Sequence, residues 1–294
     1  MKKEFQAGTG FFCMLILLQS IIYGFGDPIS KAAYEAMPVY SLLSLRYLIA
    51  TAVLLLFAGR KVICGLRQYH IKDWLLPSIC MALSYIFNNI GLQLTAATSV
   101  AFLRSLSVVI TPILAWLVYR KTIHKKLIPI LIFIVIGLYL LCGLGGLSSF
   151  GMGEIITLLA ALMVAGSLVF GEKALKKMDA LTLTATQTLV SAIIATVCAF
   201  LFDGGWNLHI ATPSIWFTIL YLGIVCTIFG YLLQNIALQK IPDRTVALLQ
   251  CSCPVLTAVF SFLLLGELLS VPGFIGAGII LLCVIATTML KENT

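Results

Sequence analysis

YIFNNIGLQLTAATSVAFL, residues 85–103, returns as YLLQNIALQKIPDRTVALL at residues 231–249. The offset is 146 throughout, without a gap. Eight of the 19 positions are identical: Tyr85/Tyr231, Asn89/Asn235, Ile90/Ile236, Leu92/Leu238, Gln93/Gln239, Val100/Val246, Ala101/Ala247 and Leu103/Leu249. Shared Leu and Ala say little in an apolar chain. Shared Tyr, Asn and Gln in one register mark an internal duplication. Working outward from this pair, the chain divides into residues 1–146 and 147–294.

Of the 294 residues, 61% are hydrophobic and only 10% are charged, against about 45–50% and about 25% in soluble domains. So few charges cannot cover a water-soluble surface, so the solvent for most of this chain is lipid. There the backbone must pair internally, as helices or a closed barrel. The apolar runs are continuous over about 20 residues, which suits helices; barrel strands would be shorter and alternating. The expected fold is an all-α membrane protein with ten transmembrane helices at roughly 10–34, 38–57, 74–95, 97–119, 127–144, 154–171, 180–202, 213–235, 245–265 and 272–290. Lys2 and Lys3 before an apolar run give the start the look of a signal peptide. It has no small-residue cleavage site and stays apolar too long, so it reads as the first span. The nine cysteines match no disulfide or zinc spacing and read as small packing residues.

The basic residues set the orientation. With the N-terminus in the cytoplasm, the inner segments hold Lys2, Lys3, Arg60, Lys61, Arg67, Lys72, Arg120, Lys121, Lys125, Lys126, Lys173, Lys176, Lys177, Lys240, Arg244 and Lys291. The outer segments hold only Lys31, and Arg46 and Arg104 lie within spans. Cytoplasmic loops are the Lys/Arg-rich ones, so both termini are expected inside. The net charge of +8 is thereby explained by topology; scattered through short loops, it makes no nucleic-acid surface. Each half then has five helices. Five is odd, so the halves are expected to be inverted relative to each other, the architecture of many secondary transporters. Two such halves have two nearly equal packings, open to opposite sides.

Ionisable groups within a bilayer are costly and mark function or a partner. Counted from the outer helix ends, Arg46 lies about 12 Å deep, and Arg104 and Asp27 about 10 Å. Three ionisable groups on three helices thus share a depth. Arg46 reads either as a structural partner of Asp27 or of backbone carbonyls, or as a cavity residue; Arg104 reads as snorkelling to the headgroups or as facing a solute. Two Arg and one Asp leave one positive charge that an anionic or zwitterionic solute can neutralise. Tyr85, Asn88, Asn89 and Gln93 form a polar stripe on the third span, and Tyr231, Gln234, Asn235 and Gln239 its counterpart on the eighth. These either line a pathway or bond between helices. At the repeat offset Gln250 stands where the first half has Arg104. Gly24, Gly26 and Pro28 weaken the first helix, which is expected to be broken or kinked near Asp27. Glu154 and Glu267 read as solvated at outer helix ends, and Glu172 as part of a surface ion-pair set with Lys173, Lys176 and Lys177. The candidate solute-binding residues are Tyr23, Asp27, Arg46, Tyr85, Asn89, Arg104, Gln187, Tyr231 and Gln250.

LLLGELLSVPGFIGAGIILLCV, residues 263–284, with its Gly266-Glu267 pair and Gly-rich last helix, resembles the end of an EamA-type domain of the drug/metabolite transporter superfamily. Tyr23-Gly24 followed by Lys31, and SLRYLIATAVLLL at residues 44–56 with Arg46, are similar to the family's first two helices. The resemblance covers nearly the whole chain. It implies a ten-helix secondary transporter, expected in a bacterial cytoplasmic membrane; together with the charges within the spans, the leading expectation is carriage of a small polar metabolite, such as an amino acid, with export one of the directions open to it. It needs no cofactor or metal. Its partners are the solute, a coupling proton or counter-solute, and the lipid bilayer. No P-loop is present to let ATP drive transport, and no HExxH or GxSxG motif points to an enzyme; His70, His124 and His209 all fall in loops.

Overall fold

The computed structural model describes residues 9–95, 97–121, 127–140, 151–206, 212–265 and 270–289. Glu267, His124 and His209 lie outside the described residues. Among those described, the chain is helical without strands. The elements are α1 (Thr9–Tyr34), α2 (Val39–Gln68), α3 (Ile71–Leu94), α4 (Ala97–Ser105), α5 (Ser107–Tyr119), α6 (Leu127–Leu138), α7 (Met152–Leu175), α8 (Ala180–Phe202) and α9 (Pro213–Leu220). A π-helical segment (Tyr221–Phe229) follows, then α10 (Gly230–Leu238), α11 (Asp243–Gln250), α12 (Ser252–Leu265) and α13 (Val271–Met289). Eight helical stretches among the described residues are long and apolar enough to cross a membrane. Two shorter apolar helices, Leu127–Leu138 and Val271–Ala286, fall where the fifth and tenth spans were expected.

Three departures from the sequence reading bear on the site. First, α1 runs unbroken through Pro28, which removes the break from the two alternatives, a break or a kink. Its glycines serve close approach: a Cβ on Gly24 would stand 2.8 Å from the Leu256 Cβ on α12, and one on Gly26 2.9 Å from the Cys226 sulfur. Tight packing on two sides holds the helix together across the proline's missing donor. Second, the interruptions lie elsewhere. The expected fourth span is interrupted by a turn at Leu106 and the ninth by one at Cys251, with i→i−3 bonds (Leu106 N–H to Leu103 O, Cys251 N–H to Leu248 O, both 3.2 Å) between α4 and α5 and between α11 and α12. Pro254, which has no N–H for the Gln250 carbonyl, explains the second interruption. Third, the eighth span contains the π segment, whose Thr227 hydroxyl bonds back to the Leu222 carbonyl at 2.9 Å. π insertions within helices are rare and frequent at functional sites.

Small residues set the helix contacts, as is usual where lipid removes the hydrophobic drive between helices. α3 lies along α7, α2 along α8, α1 against α12 and α10, and α6 against α13. Gly91 receives Thr157, Gly65 receives Thr182, and Gly137 meets the Gly276 carbonyl. Glu154 is a further correction. It is buried, accepting from the Thr95 hydroxyl and from the Gly151 N–H at 2.9 Å, so it caps α7 and ties it to the end of α3. At Gly24 a methyl group would also press on the Leu256 carbonyl carbon at 3.0 Å, which backbone cannot relieve by a rotamer change. Gly24→Ala is therefore expected to destabilise the protein by about 1–3 kcal/mol, measured as the thermal unfolding midpoint in detergent. An unchanged midpoint would mean that α1 and α12 separate freely.

Candidate solute-binding site

α1 presents Tyr23 and Asp27 on one face, one turn apart. α4 brings Arg104 to them: its Nη1 stands 3.9 Å from the Asp27 Oδ1 and donates to the Asn88 Oδ1 of α3 at 3.4 Å. The two charged side chains keep 26% (Asp27) and 21% (Arg104) of their surface exposed. Arg104 thus turns inward onto Asp27 and Asn88, contrary to the snorkelling reading. Arg46 on α2 reaches the same place from the opposite wall and is buried. It does not pair with Asp27. Its Nε donates to the Thr227 hydroxyl of the π segment at 2.8 Å, and its guanidinium carbon lies 5.0 Å from the Tyr85 ring centre and 5.3 Å from that of Tyr47. The π segment closes on α2 because Gly223 has no side chain; a Cβ there would stand 2.9 Å from the Arg46 carbonyl oxygen.

Three adjoining cavities share Asp27, Asn88 and Arg104. One leaves about 50 Å³ accessible to the centres of water molecules and is lined among others by Ser20, Tyr23, Tyr85, Gln234, Gln250 and Cys253. Another continues past Lys31, Leu92, Val100 and Ser261 toward the ends of α1, α3 and α12, and the last is lined by Arg46, Asn89 and Cys226. A water needs roughly 10–15 Å³ on this measure, so the first space holds a few waters. A solute of many atoms requires its walls to move. Among the described residues no cluster of His, Cys, Asp or Glu could hold a metal ion.

The family profile of the EamA-like transporters matches residues 10–143 and again 151–289. The chain belongs to the EamA-like transporter family. An Archaeoglobus fulgidus protein named as an uncharacterized transporter is 25% identical over 274 residues, 93% of this chain and 84% of its own. The Bacillus subtilis uncharacterized transporter YoaV is 24% identical over 283 residues, 91% of this chain and 92% of its own. A solved crystal structure superposes with a TM-score of 0.78 over 95% of this chain and 96% of its own at 17% identity, a likeness of fold. This EamA-like protein is a transporter and not an enzyme, and its apolar helices make it an integral, multi-pass membrane protein.

In this EamA-like chain the candidate residues separate into two groups. Tyr23, Asp27, Arg46, Tyr85, Asn89, Arg104 and Gln250 all line the cavities. Asn89 is also held in place, accepting from the Tyr34 hydroxyl and donating to the Tyr85 carbonyl at 2.6 Å. Tyr231 and Gln187 are placed elsewhere. Tyr231 is fully buried with its hydroxyl 3.0 Å from that of Tyr47, and Gln187 accepts from the Asn235 amide at 2.8 Å. Tyr85, Asn88 and Asn89 of the third span's stripe line the cavities while Gln93 is exposed, and much of the counterpart stripe bonds between helices. Sequence reasoning missed Gln19. Its amide donates to the Gln234 Oε1 at 3.0 Å, and Gln250 donates to the same oxygen at 2.8 Å, so three amides join α1, α10 and α11 beside the cavity. A Gln eight residues before Asp27 in an apolar helix was the signal available. Thr227 and Cys226 were missed as well, because the π segment has no sequence mark.

Proposed function

We propose that the protein is a secondary transporter that carries a small zwitterionic or anionic metabolite, such as an amino acid, across the cell membrane by alternating access. Residues 1–146 and 147–294 act as two inverted five-helix halves, with both termini in the cytoplasm. The observation that carries the solute class is the Asp27–Arg104 pair, held at 3.9 Å with Arg46 in an adjoining cavity. Asp27 offers acceptors to an ammonium group. The guanidinium planes offer paired donors to a carboxylate, and the site keeps one unneutralised positive charge.

Several features support the inverted halves. The family profile matches twice. The helix interruptions at Leu106 and Cys251 fall just past Arg104 and Gln250, which correspond at the repeat offset. Exchanging the halves also maps the packing onto itself: α3 along α7 becomes α10 against α1, and α3 against α8 becomes the π segment against α2. The pairs α2–α8 and α6–α13 map onto themselves. Halves packed with that symmetry can adopt two states of similar energy, which is what alternating access needs. Net movement then follows a gradient of the solute, a proton or a counter-solute, with export one of the directions open to it.

Two measurements test this. Accessibility labelling of introduced cysteines is expected to place positions 60–72, 120–126 and 172–178 in the cytoplasm and 203–211 outside; finding 120–126 outside overturns the topology. Counterflow in proteoliposomes is expected with zwitterionic or anionic solutes, and a solute proving purely cationic overturns the charge argument.

A further inference from the structure

We propose that Lys121, Glu172 and Asp243 form an ionic latch that holds the bundle closed at one end, and that the transport cycle opens that end by breaking the bonds of Lys121. Lys121 Nζ stands 2.8 Å from the Glu172 Oε2 and 2.9 Å from the Asp243 Oδ2. The Asp243 backbone N–H, at the start of α11, donates to the same Glu172 oxygen at 2.9 Å. One ammonium therefore bridges two carboxylates. It belongs to the turn after α5 in the first half, and they belong to α7 and α11 in the second. Lys176 adds a looser contact to Glu172 at 3.5 Å.

Three observations make this more than surface decoration. The first is position. Asp243 lies seven residues before Gln250 on α11, about 10 Å along the axis, and Glu172 lies five residues past Ser167 on α7. Gln250 and Ser167 both line the cavity. The helices that carry the cavity wall thus carry the latch beyond it, with buried Leu168, Val246 and Leu249 between. The cavity itself continues the other way, past Lys31 and Ser261. The second is backbone geometry. Arg120, just before Lys121, is the only described non-glycine residue with positive φ, at 54°. Such a conformation is unfavourable for a residue with a Cβ and signals a constraint where it persists. Here it ends α5 and places Lys121 against the two carboxylates. The third is the balance of burial. The Asp243 side chain is 2% exposed and Glu172 13%, while Lys121 keeps 30%. A carboxylate buried to that degree needs a partner, so opening this end must bring water to the carboxylates as Lys121 parts from them, and the ammonium, already in contact with water, is the member placed to move. Burial works against the Lys121 ammonium, but its hydrogen bonds to Glu172 and Asp243 outweigh this and raise its pKa, so the charge that closes the latch is present at neutral pH.

The latch rests on the alternating-access reading, and the test separates the two. Cys251 and Cys253 are native thiols lining the cavity. In oriented proteoliposomes, a membrane-impermeant maleimide is applied to one face at a time, and modification of these two residues is read by peptide mass spectrometry. Lys121→Glu sets three carboxylates together and is expected to raise their labelling from the latch face about tenfold, a typical coupling between distant sites. The double variant Lys121→Glu with Glu172→Lys restores one cation facing two anions and is expected to return the rate to that of the wild type. If the wild type reacts from both faces and Lys121→Glu leaves the ratio unchanged, the latch is wrong. The same holds if the double variant folds but stays as open as the single one. If the wild type reacts from one face only while counterflow proceeds, alternating access through this cavity is wrong instead. Should Lys121→Glu misfold, Lys121→Gln supplies the same comparison without the added charge.

Discussion

Arg104→Gln is expected to fold normally and to weaken binding of a zwitterionic or anionic solute by about 1.5–3 kcal/mol, the range for a hydrogen bond to a charged group. That is about a 10- to 150-fold rise in dissociation constant. The second half of the chain already carries an amide at the corresponding position, Gln250, whose side chain donates to Gln19 and Gln234 at 3.2 and 2.8 Å. A Gln at residue 104 can keep the contact with Asn88 that Arg104 makes at 3.4 Å. What it removes is the positive charge 3.9 Å from Asp27. Asp27 would then lose its ion-pair partner and keep only the more distant Arg46 across the shared cavity, so selectivity is expected to turn toward cations as affinity for anions falls. Thermal-shift titration measures the binding loss, because a ligand of the folded state raises apparent stability, and counterflow measures selectivity. An unchanged affinity together with unchanged selectivity would return Arg104 to a structural role.

How far the site could be read from the chain follows from what each residue's signal depends on. Asp27, Arg46 and Arg104 were legible because helix rise converts residue number into depth, and three costly groups at one depth need one another. Which of them would touch was not legible. Depth says nothing about azimuth, and packing turned Arg46 toward Thr227 and two tyrosine rings, leaving Asp27 to Arg104. Of the two outcomes open at Pro28, a break or a kink, the break is absent for a related reason. Gly24, Gly26 and Pro28 weaken an isolated helix, but only a partner's surface decides whether glycine marks a break or a close approach. Here Leu256 and Cys226 occupy the space their side chains would take. Glu154 was misplaced because its burial depends on Thr95 at the end of another helix. The repeat at residues 85–103 and 231–249 was legible in identity and not in role. Asn89 lines a cavity while Asn235 bonds to Thr184 and Gln187, so one motif faces a cavity in one half and packs helices together in the other.

Arg46 should prove the least replaceable residue of the site, and two substitutions separate its roles. Its side chain is buried and fills the space between α2, α3 and the π segment. One hydrogen bond anchors it to Thr227, and its cation lies over two rings. A desolvated cation–π contact contributes about 2 kcal/mol, and truncating a large buried side chain costs about 2–5 kcal/mol. Arg46→Ala is accordingly expected to lose several kcal/mol of stability and to be recovered from the membrane in low yield. Arg46→Lys keeps the charge and much of the stem, so the fold should survive. It replaces a planar fork with a point charge, however, so the Nε bond to Thr227 and the stacked plane over Tyr85 are lost. The π segment then loses its tie to α2, and the carboxylate loses a bidentate partner. The expected result is a Lys variant with near-native unfolding temperature and little or no transport. If Arg46→Lys transports at the wild-type rate, Arg46 acts through charge alone. If Arg46→Ala is as stable as the wild type, its ring contacts hold nothing together, and the site's rigidity must come from Asn88 and Asn89 on α3.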